Sequence, residues 1–358
     1  MKKKILFIMP SVGRKKNQPY VKSWKMEPLP IAMLSALTPE KHFEKYFADD
    51  RLEAIPYNID IDAVMITVET YTAKRTYQIA REFRKKKIPV ILGGFHVTLV
   101  PEEARQHADA ILIGEAEGCW QKLLDDLSAD NLKEQYKEES VFGVKPFLPD
   151  SSIYKGKKYL NLSMLETSRG CRYTCEFCSI TSFFEHRCYY RPIVDVINQI
   201  KSTKSNKWFF VDDNIGSDLD RFEQLLKALI PLKILWTGQI SIEVTRRPKL
   251  LELMKKSGCI GVLIGFESIT PGNVLQMGKK VNTVSDYEKA VTNMRKYGMC
   301  VYGTFVFGYD EDTVETFTET LRFAMDSKMF FAAFNHLVPF PGTPLYKRLE
   351  QENRLLYD

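Results

Sequence analysis

Cys171, Cys175 and Cys178 crowd into eight positions of a 358-residue chain that holds only four other cysteines. A chain of this size does not need disulfide staples, so thiols packed this closely read as metal ligands or redox groups. Three thiolates in one loop can bind three irons of a cubane cluster, whereas ordinary clusters take four cysteines. The missing ligand leaves one iron open to an exchangeable partner. An open coordination position implies chemistry rather than structure alone, by the logic that separates catalytic from structural zinc. Zinc is the competing ion. Against it, CxxxCxxC lacks the paired CxxC spacing of zinc ribbons, and His186 is the one nearby histidine that could complete a tetrahedral set.

The other cysteines carry less. Cys259 and Cys300 lie in or beside apolar segments and read as core residues. Cys119 opens a helical stretch, where packing is the expected role. Cys188 follows the loop closely in sequence, and Arg191 beyond it either reaches the site or forms a salt bridge.

Elements that could position the loop follow from hydrophobic pattern. Ile5–Met9, Phe43–Ala48, Ala63–Val68, Pro89–Leu92 and Ala110–Ile113 read as strands, with helices near Pro30–Leu37, Ala73–Lys86 and Gly118–Leu127. The apolar run after Met1 and three lysines is too short for a signal-peptide core and reads as a first buried strand. Strand–helix alternation of this kind predicts a parallel sheet covered on both faces. Glycine-bearing turns, Gly93-Gly94 and Gly114-Glu115, fall at the carboxyl edge of that sheet, where open parallel sheets bind ligands; the alternative is that these glycines only permit tight turns.

Residues 136–158 are polar, with Pro146, Pro149 and Asp150, and read as a linker between a domain at 1–135 and another at 159–358. The second domain resumes the alternation, with strands at Leu160–Thr167, Lys207–Val211, Ile234–Ser241, Gly261–Gly265, Cys300–Phe307 and Phe331–Leu337. Helical stretches lie near Ile193–Lys201, Leu219–Leu229, Pro248–Lys256, Val284–Tyr297 and Val314–Asp326. Six such units predict a partial (β/α)6 barrel, with functional residues at the carboxyl ends of its strands.

The loop from Ser168 to Cys178, including Phe177 before its last cysteine, resembles the CxxxCxxC signature of the radical S-adenosylmethionine (SAM) superfamily. The resemblance implies that Cys171, Cys175 and Cys178 hold a 4Fe–4S cluster and that the open iron chelates the amino and carboxylate groups of SAM. It further implies cleavage of SAM to a 5′-deoxyadenosyl radical, with Phe177 near the adenine. Polar groups stand where that family places them: Asp212, Asp213 and Asn214 after the second strand, Gln239 and Ser241 on the third, and Glu267 closing the fourth. Asp212, Asn214, Gln239, Ser241 and Glu267 are the candidates for orienting SAM; Asp213 or Asn214 could instead cap the following helix. Gly303–Gly308 and the Pro339–Leu345 string resemble further family segments.

The first domain resembles the Rossmann-like cobalamin-binding domains that precede many radical SAM cores. Ile5–Pro10, Leu29–Ala32, Val90–His96 and Ile113–Glu117 carry the likeness, which implies cobalamin near Gly93, Gly94, Gly114 and Glu115. The fold expected is therefore α/β, a cobalamin-type domain followed by the partial barrel. The DxHxxG histidine that ligates cobalt in other cobalamin domains is absent, and Ser11, Val12 and Gly13 occupy its loop. The likeness is strongest to the subgroup with hopanoid-modifying enzymes and anaerobic chlorophyll-pathway cyclases. It implies cobalamin-dependent methylation of an unactivated carbon, with a radical cyclisation or rearrangement, or a non-catalytic iron–sulfur protein, as the alternatives.

Composition bounds the partners. A net charge of +6 from 51 basic and 45 acidic residues spread along the chain gives no nucleic-acid footprint, and no apolar run reaches the length of a membrane span. The expected partners are a small-molecule substrate and an electron donor such as flavodoxin or ferredoxin, in the cytoplasm; 22 Phe and 17 Tyr would suit a hydrophobic substrate but read better as an ordinary core.

Overall fold

The computed structural model describes residues 2–13, 25–137 and 148–356, so Pro146 and residues 138–147 of the polar segment lie outside the described residues. Two compact units make up the chain, Met1–Leu160 and Asn161–Asp358.

In the first unit, β1 (Lys3–Met9), α1 (Leu29–Leu37), β2 (Phe43–Asp49), β3 (Ala63–Thr67), α2 (Ala73–Lys85) and β4 (Val90–Gly93) follow in order. The short helices α3 (Phe95–Leu99) and α4 (Pro101–Arg105), then β5 (Ala110–Ile113), α5 (Trp120–Ser128) and β6 (Gln135–Lys137), complete it. The strands pair in parallel in the order β2-β1-β3-β4-β5-β6. Successive side chains of a strand point to opposite faces, and here both faces are buried: Leu6, Ile8, Val64 and Ile66 enter one core, Ile5, Phe7, Ala63 and Met65 the other. That is why these strands read as continuous apolar runs rather than alternating ones. The chain leaves β1 for β2 on one side and passes to β3 on the other, so a topological switch lies at their carboxyl ends.

The described ends of the polar segment belong to this unit. Residues 135–137 form the edge strand β6 on β5. Asp150 accepts from Ser35 Oγ at 2.6 Å and Lys45 Nζ at 2.9 Å, and buried Tyr154 donates its hydroxyl to the Pro28 carbonyl at 2.8 Å.

The second unit begins with β7 (Ser163–Leu165), then a two-residue hairpin strand β8 (Ser168–Arg169), α6 (Ser179–Phe184) and its partner β9 (Tyr189–Tyr190). Alternating units follow: α7 (Ile193–Ser202), β10 (Lys207–Phe210), α8 (Leu219–Leu229), β11 (Leu235–Ile240), α9 (Pro248–Lys256) and β12 (Cys259–Glu267). The short α10 (Pro271–Gln276), α11 (Tyr287–Lys296), β13 (Cys300–Phe307), α12 (Val314–Asp326), β14 (Phe331–His336) and α13 (Pro344–Gln351) end it. Six strands pair in parallel as β14-β13-β12-β11-β10-β7, a partial barrel with β14 and β7 at its edges. Its core stacks Phe210 on Trp236 with ring centroids 5.1 Å apart, and the Trp236 indole donates to Ser257 Oγ at 3.1 Å. Cys259 is buried as its apolar surroundings predict, but Cys300 is exposed: it opens β13 at the amino end of the strand, beyond the packed core. Among the described residues no helix is long and apolar enough to cross a membrane.

Turns from helix to strand repeat one backbone device, a residue with positive φ. Lys233 and Lys328 take this conformation before β11 and β14, Gly258 and Gly298 before β12 and β13. Glycine is compulsory at only one of them. A Cβ on Gly258 would fall 1.8 Å from the Ile234 carbonyl oxygen, whereas on Gly298 it would meet only the flexible end of Lys255. Gly298→Ala should therefore cost about 1 kcal/mol, the left-handed strain alone. Gly258→Ala should cost about 3 kcal/mol or more, because backbone must also move. Denaturant unfolding of the two variants checks this, and equal losses would contradict it.

Candidate active site

The cysteine loop leaves the barrel at the carboxyl end of β7, and buried polar groups fix its root. Asp212, directly after β10, is 1% exposed and accepts hydrogen bonds from Thr167 N (3.0 Å), Thr167 Oγ1 (2.6 Å) and Ser168 Oγ (2.5 Å). Burial pushes its carboxyl above the usual range despite these donors and the nearby Arg221 guanidinium. Arg221 donates to the carbonyls of Thr167 (3.0 Å) and Arg191 (2.8 Å), and Arg191 donates to the Glu166 carbonyl at 2.7 Å. Arg191 thus reaches backbone and Gln199 rather than a carboxylate partner.

The next residues repeat the logic. Gly170 N donates to Asp213 Oδ2 at 2.8 Å, and burial pushes the Asp213 carboxyl up to about 6. Gly170 has φ +81°, and a Cβ there would lie 2.1 Å from the Arg187 carbonyl oxygen, so the β8–β9 hairpin closes only on glycine. Asn214 bridges three elements: its amide nitrogen lies 3.8 Å from Cys171 Sγ as a donor, and its oxygen accepts from Gly216 N and Ser241 N, each at 3.2 Å. Tyr173 OH donates to Glu243 at 2.7 Å, a carboxylate paired with Arg172, and accepts from Ser241 Oγ at 3.4 Å.

Cys175 is buried, and burial pushes its thiol up to about 12 while the Lys279 ammonium pulls the other way. Cys178 precedes α6. Burial raises it too, opposed by the backbone N–H groups of Thr181 and Ile180 at the start of that helix, an arrangement that favours thiolate. The three sulfurs feel one another's charge. Among the described residues, however, no three His, Cys, Asp or Glu side chains converge on a point that one metal ion could occupy. A tetrahedral zinc holds each sulfur about 2.3 Å from one centre, while each cysteine of a cubane binds its own iron. Three thiols on one loop without a common centre for a single ion fit a cluster in which each binds its own iron, and Asn214 supplies an N–H to one sulfur of the set.

Other predicted residues gather at the same barrel mouth. Phe177 is half-buried in the loop, Gln239 stands on β11, and Glu267 closes β12, 8% exposed, with φ +65° at a bulge against β13. Sequence reading missed what holds them. Lys279 pairs with Glu267 and donates to the Gly265 carbonyl at 2.9 Å. Asn282 Nδ2 donates to the carbonyls of Gly265 and Phe266, both at 3.0 Å, and Tyr287 OH donates to Phe266 O at 2.7 Å. Arg348 of α13 clamps Glu176 at 2.8 and 3.2 Å, and Leu345 N donates to the Glu176 carbonyl at 2.9 Å. The Pro339–Leu345 string stood out by resemblance, and this contact is its structural use. Lys279 and Arg348 gave no local signal, because each meets its partner only through the fold.

In the first unit, Gly94 has φ +112°, and a Cβ there would fall 2.8 Å from the Val68 carbonyl oxygen. Gly114, φ +84°, has open space where its Cβ would be, and its N–H donates to Thr98 Oγ1 at 2.9 Å, which in turn donates to the Gly94 carbonyl. Gly93 lies at the end of β4 in ordinary contact with Leu112, and Glu115 follows Gly114 in extended backbone. The carboxyl edge thus carries Gly93, Gly94 and Gly114, of which Gly94 serves close packing on Val68 and Gly114 alone leaves open space where a side chain would stand. Nearby, Glu69 after β3 has its carboxyl raised by burial to about 7. Ser11 of the histidine-free loop is spent on Asp50, which also takes a two-pronged contact from Arg75 at 2.9 and 2.8 Å. His96 is buried among Thr70, Tyr77 and Glu103.

Known proteins agree with this architecture. The family model described as the radical SAM superfamily matches residues 165–324. Bacteriochlorophyllide d C-12(1)-methyltransferase of Chlorobaculum tepidum is 31% identical over 340 residues, 91% of this chain and 74% of that protein. Bacteriochlorophyllide d C-8(2)-methyltransferase of the same organism is 32% identical over 335 residues, 88% of this chain and 74% of that protein. The solved structure of the radical SAM methyltransferase TsrM from Kitasatospora setae, with cobalamin and a 4Fe–4S cluster bound, matches with a TM-score of 0.76. That match covers 98% of this chain and 75% of that one at 16% identity, a likeness of fold. Two relatives above 30% identity, each matched over more than two thirds of its length, together with a family match running from β7 into α12, place this chain in the radical SAM superfamily of enzymes.

Proposed function

We propose that this protein is a cobalamin-dependent radical SAM methyltransferase that methylates an unactivated carbon of an apolar small molecule. The observation that carries the reading is the triad Cys171, Cys175 and Cys178, rooted in buried polar groups at the barrel mouth of a chain 31% identical to a methyltransferase. That relative is a bacteriochlorophyllide methyltransferase, which makes a planar tetrapyrrole the class to test first. When bound, the cluster and SAM supply a carbon-centred radical by one-electron cleavage, and a corrinoid supplies the methyl group.

The protein's own residues do the positioning. Cys171, Cys175 and Cys178 hold the cluster. Asp212 and Asp213 fix the two ends of Thr167–Gly170, so the thiols stand at set places above the barrel. Asn214 directs an N–H at the Cys171 sulfur. Gln239, Ser241 and Glu267 face SAM from the ends of β11 and β12, with Phe177 against its adenine. The edge formed by Gly93, Gly94, Gly114 and Glu115 would receive the corrinoid, with the open space at Gly114 permitting close approach of a large flat ring. Ser11, Val12 and Gly13 offer no histidine, so this loop would give a bound corrinoid no imidazole ligand. Electrons come from a flavodoxin or ferredoxin in the cytoplasm.

Anaerobic reconstitution with iron, sulfide and hydroxocobalamin, followed by dithionite and SAM, should yield 5′-deoxyadenosine and about one corrinoid per chain. Cys175→Ala should abolish the cluster absorbance and the deoxyadenosine while keeping the corrinoid. Deoxyadenosine without bound corrinoid would overturn the methyltransferase reading and leave another radical reaction. In Asp212→Asn, an amide NH2 must face donors that the carboxylate accepts, so the loop root loosens. Iron per chain after reconstitution should fall several-fold with corrinoid binding unchanged; full iron content would show that the loop does not depend on this anchor.

A further inference from the structure

Lys279 has no part in the steps above, yet it is a largely buried cation beside the cysteine loop. Its side chain is 13% exposed and that of Glu267 10%. The backbone before it is laced to the cysteine loop: Glu176 N donates to the Met277 carbonyl at 3.0 Å, and Gly278 leaves only 3.3 Å between a would-be Cβ and the Thr174 carbonyl oxygen. The end of β12 is shaped around the pair. A Cβ on Gly265 would fall 2.1 Å from Glu267 Oε1 and 2.6 Å from Lys279 Nζ. Glu267 is held in its left-handed conformation by the Asn282 and Tyr287 contacts to the two preceding carbonyls.

This geometry seats a buried cation directly after the Met277–Gly278 stretch that packs on Thr174 and Glu176 of the cysteine loop. The ammonium favours thiolate at Cys175, opposing the effect of burial there.

We propose that Lys279 sets a fixed positive charge beside the iron–sulfur cluster and makes that cluster easier to reduce, with Glu267 holding the ammonium in place. The inference rests on the reading that Cys171, Cys175 and Cys178 hold the cluster. In the step concerned, one electron passes from the low-potential protein donor to the cluster and no bond in the protein forms or breaks. Three thiolates already make the cluster anionic, and the added electron deepens that charge, so a nearby cation in a poorly solvated site stabilises the reduced state more than the oxidised one. A purely structural Lys279, serving only to fix Glu267, would leave the potential alone.

The test is an anaerobic redox titration of the reconstituted full chain without SAM, read by the electron paramagnetic resonance signal of the reduced cluster. Lys279→Met and Lys279→Gln should both shift the midpoint potential to more negative values, and Lys279→Arg should stay near wild type. An unchanged potential in a neutral variant that carries a full cluster overturns the proposal. So does a shift of the same size in Lys279→Arg, where charge is kept. Should wild type and Lys279→Arg hold a cluster that neither neutral variant retains, Lys279 serves assembly and the proposal fails. A wild-type chain that takes up no iron sinks the underlying reading instead, and iron content distinguishes that outcome from the others.

Discussion

A carboxylate with no access to water must find its solvation inside the protein, and Asp212 finds it in the root of the cysteine loop. Burying an ionised carboxylate without partners is prohibitive. Three donors from Thr167 and Ser168 compensate, and those donors exist only if the chain leaves β7 in this conformation. The dependence runs both ways: the loop is defined because Asp212 requires its donors, and Asp212 is tolerated because the loop supplies them. Arg221 and Arg191 extend the arrangement by occupying the carbonyls of Glu166, Thr167 and Arg191. What lies beyond, from Gly170 to Cys178, inherits its starting point from these contacts.

Both units exploit the same property of parallel sheets. Every strand runs the same way, so every strand-to-helix loop emerges at one edge, and residues distant in sequence meet there without special turns. In the first unit that edge carries Gly93, Gly94 and Gly114. In the second it carries thiols, carboxylates and amides. The two edges differ because their strand ends and the loops that follow carry different residues.

Most of this was legible in the chain itself. Strands buried on both faces announce themselves as apolar runs, and β5, β13, α8, α9 and α12 occupy the spans that pattern assigns. The cysteine spacing is local, so it needed no fold to be seen. What escaped was either too short or too distant. Strand β6 buries only Tyr136, and the β8–β9 hairpin has two residues a side, too few for any period to register. Helix α10 is six residues between Thr270 and Met277, below the length at which an apolar stripe can form. Lys279 and Arg348 look like ordinary surface cations in sequence; their carboxylates lie 12 and 172 residues away. Cys300 failed for the opposite reason: its neighbours are apolar, but position in the strand, not composition, decides burial.

Glu267 shows why the candidate site cannot be read as a set of independent side chains. A glutamate with positive φ stores strain, and such strain persists only where surrounding structure overrules it. Here the overruling groups are Asn282 and Tyr287, which hold the carbonyls before the bend, and Lys279, which holds the carboxylate beyond it. All three come from the stretch after α10, and that stretch is also tied to the cysteine loop through Met277 and Gly278. One segment without a sequence signature therefore fixes the relation between the end of β12 and the thiols. Any ligand that contacts both the cysteine loop and Glu267 meets two surfaces that are already braced against each other, and pays little to order them.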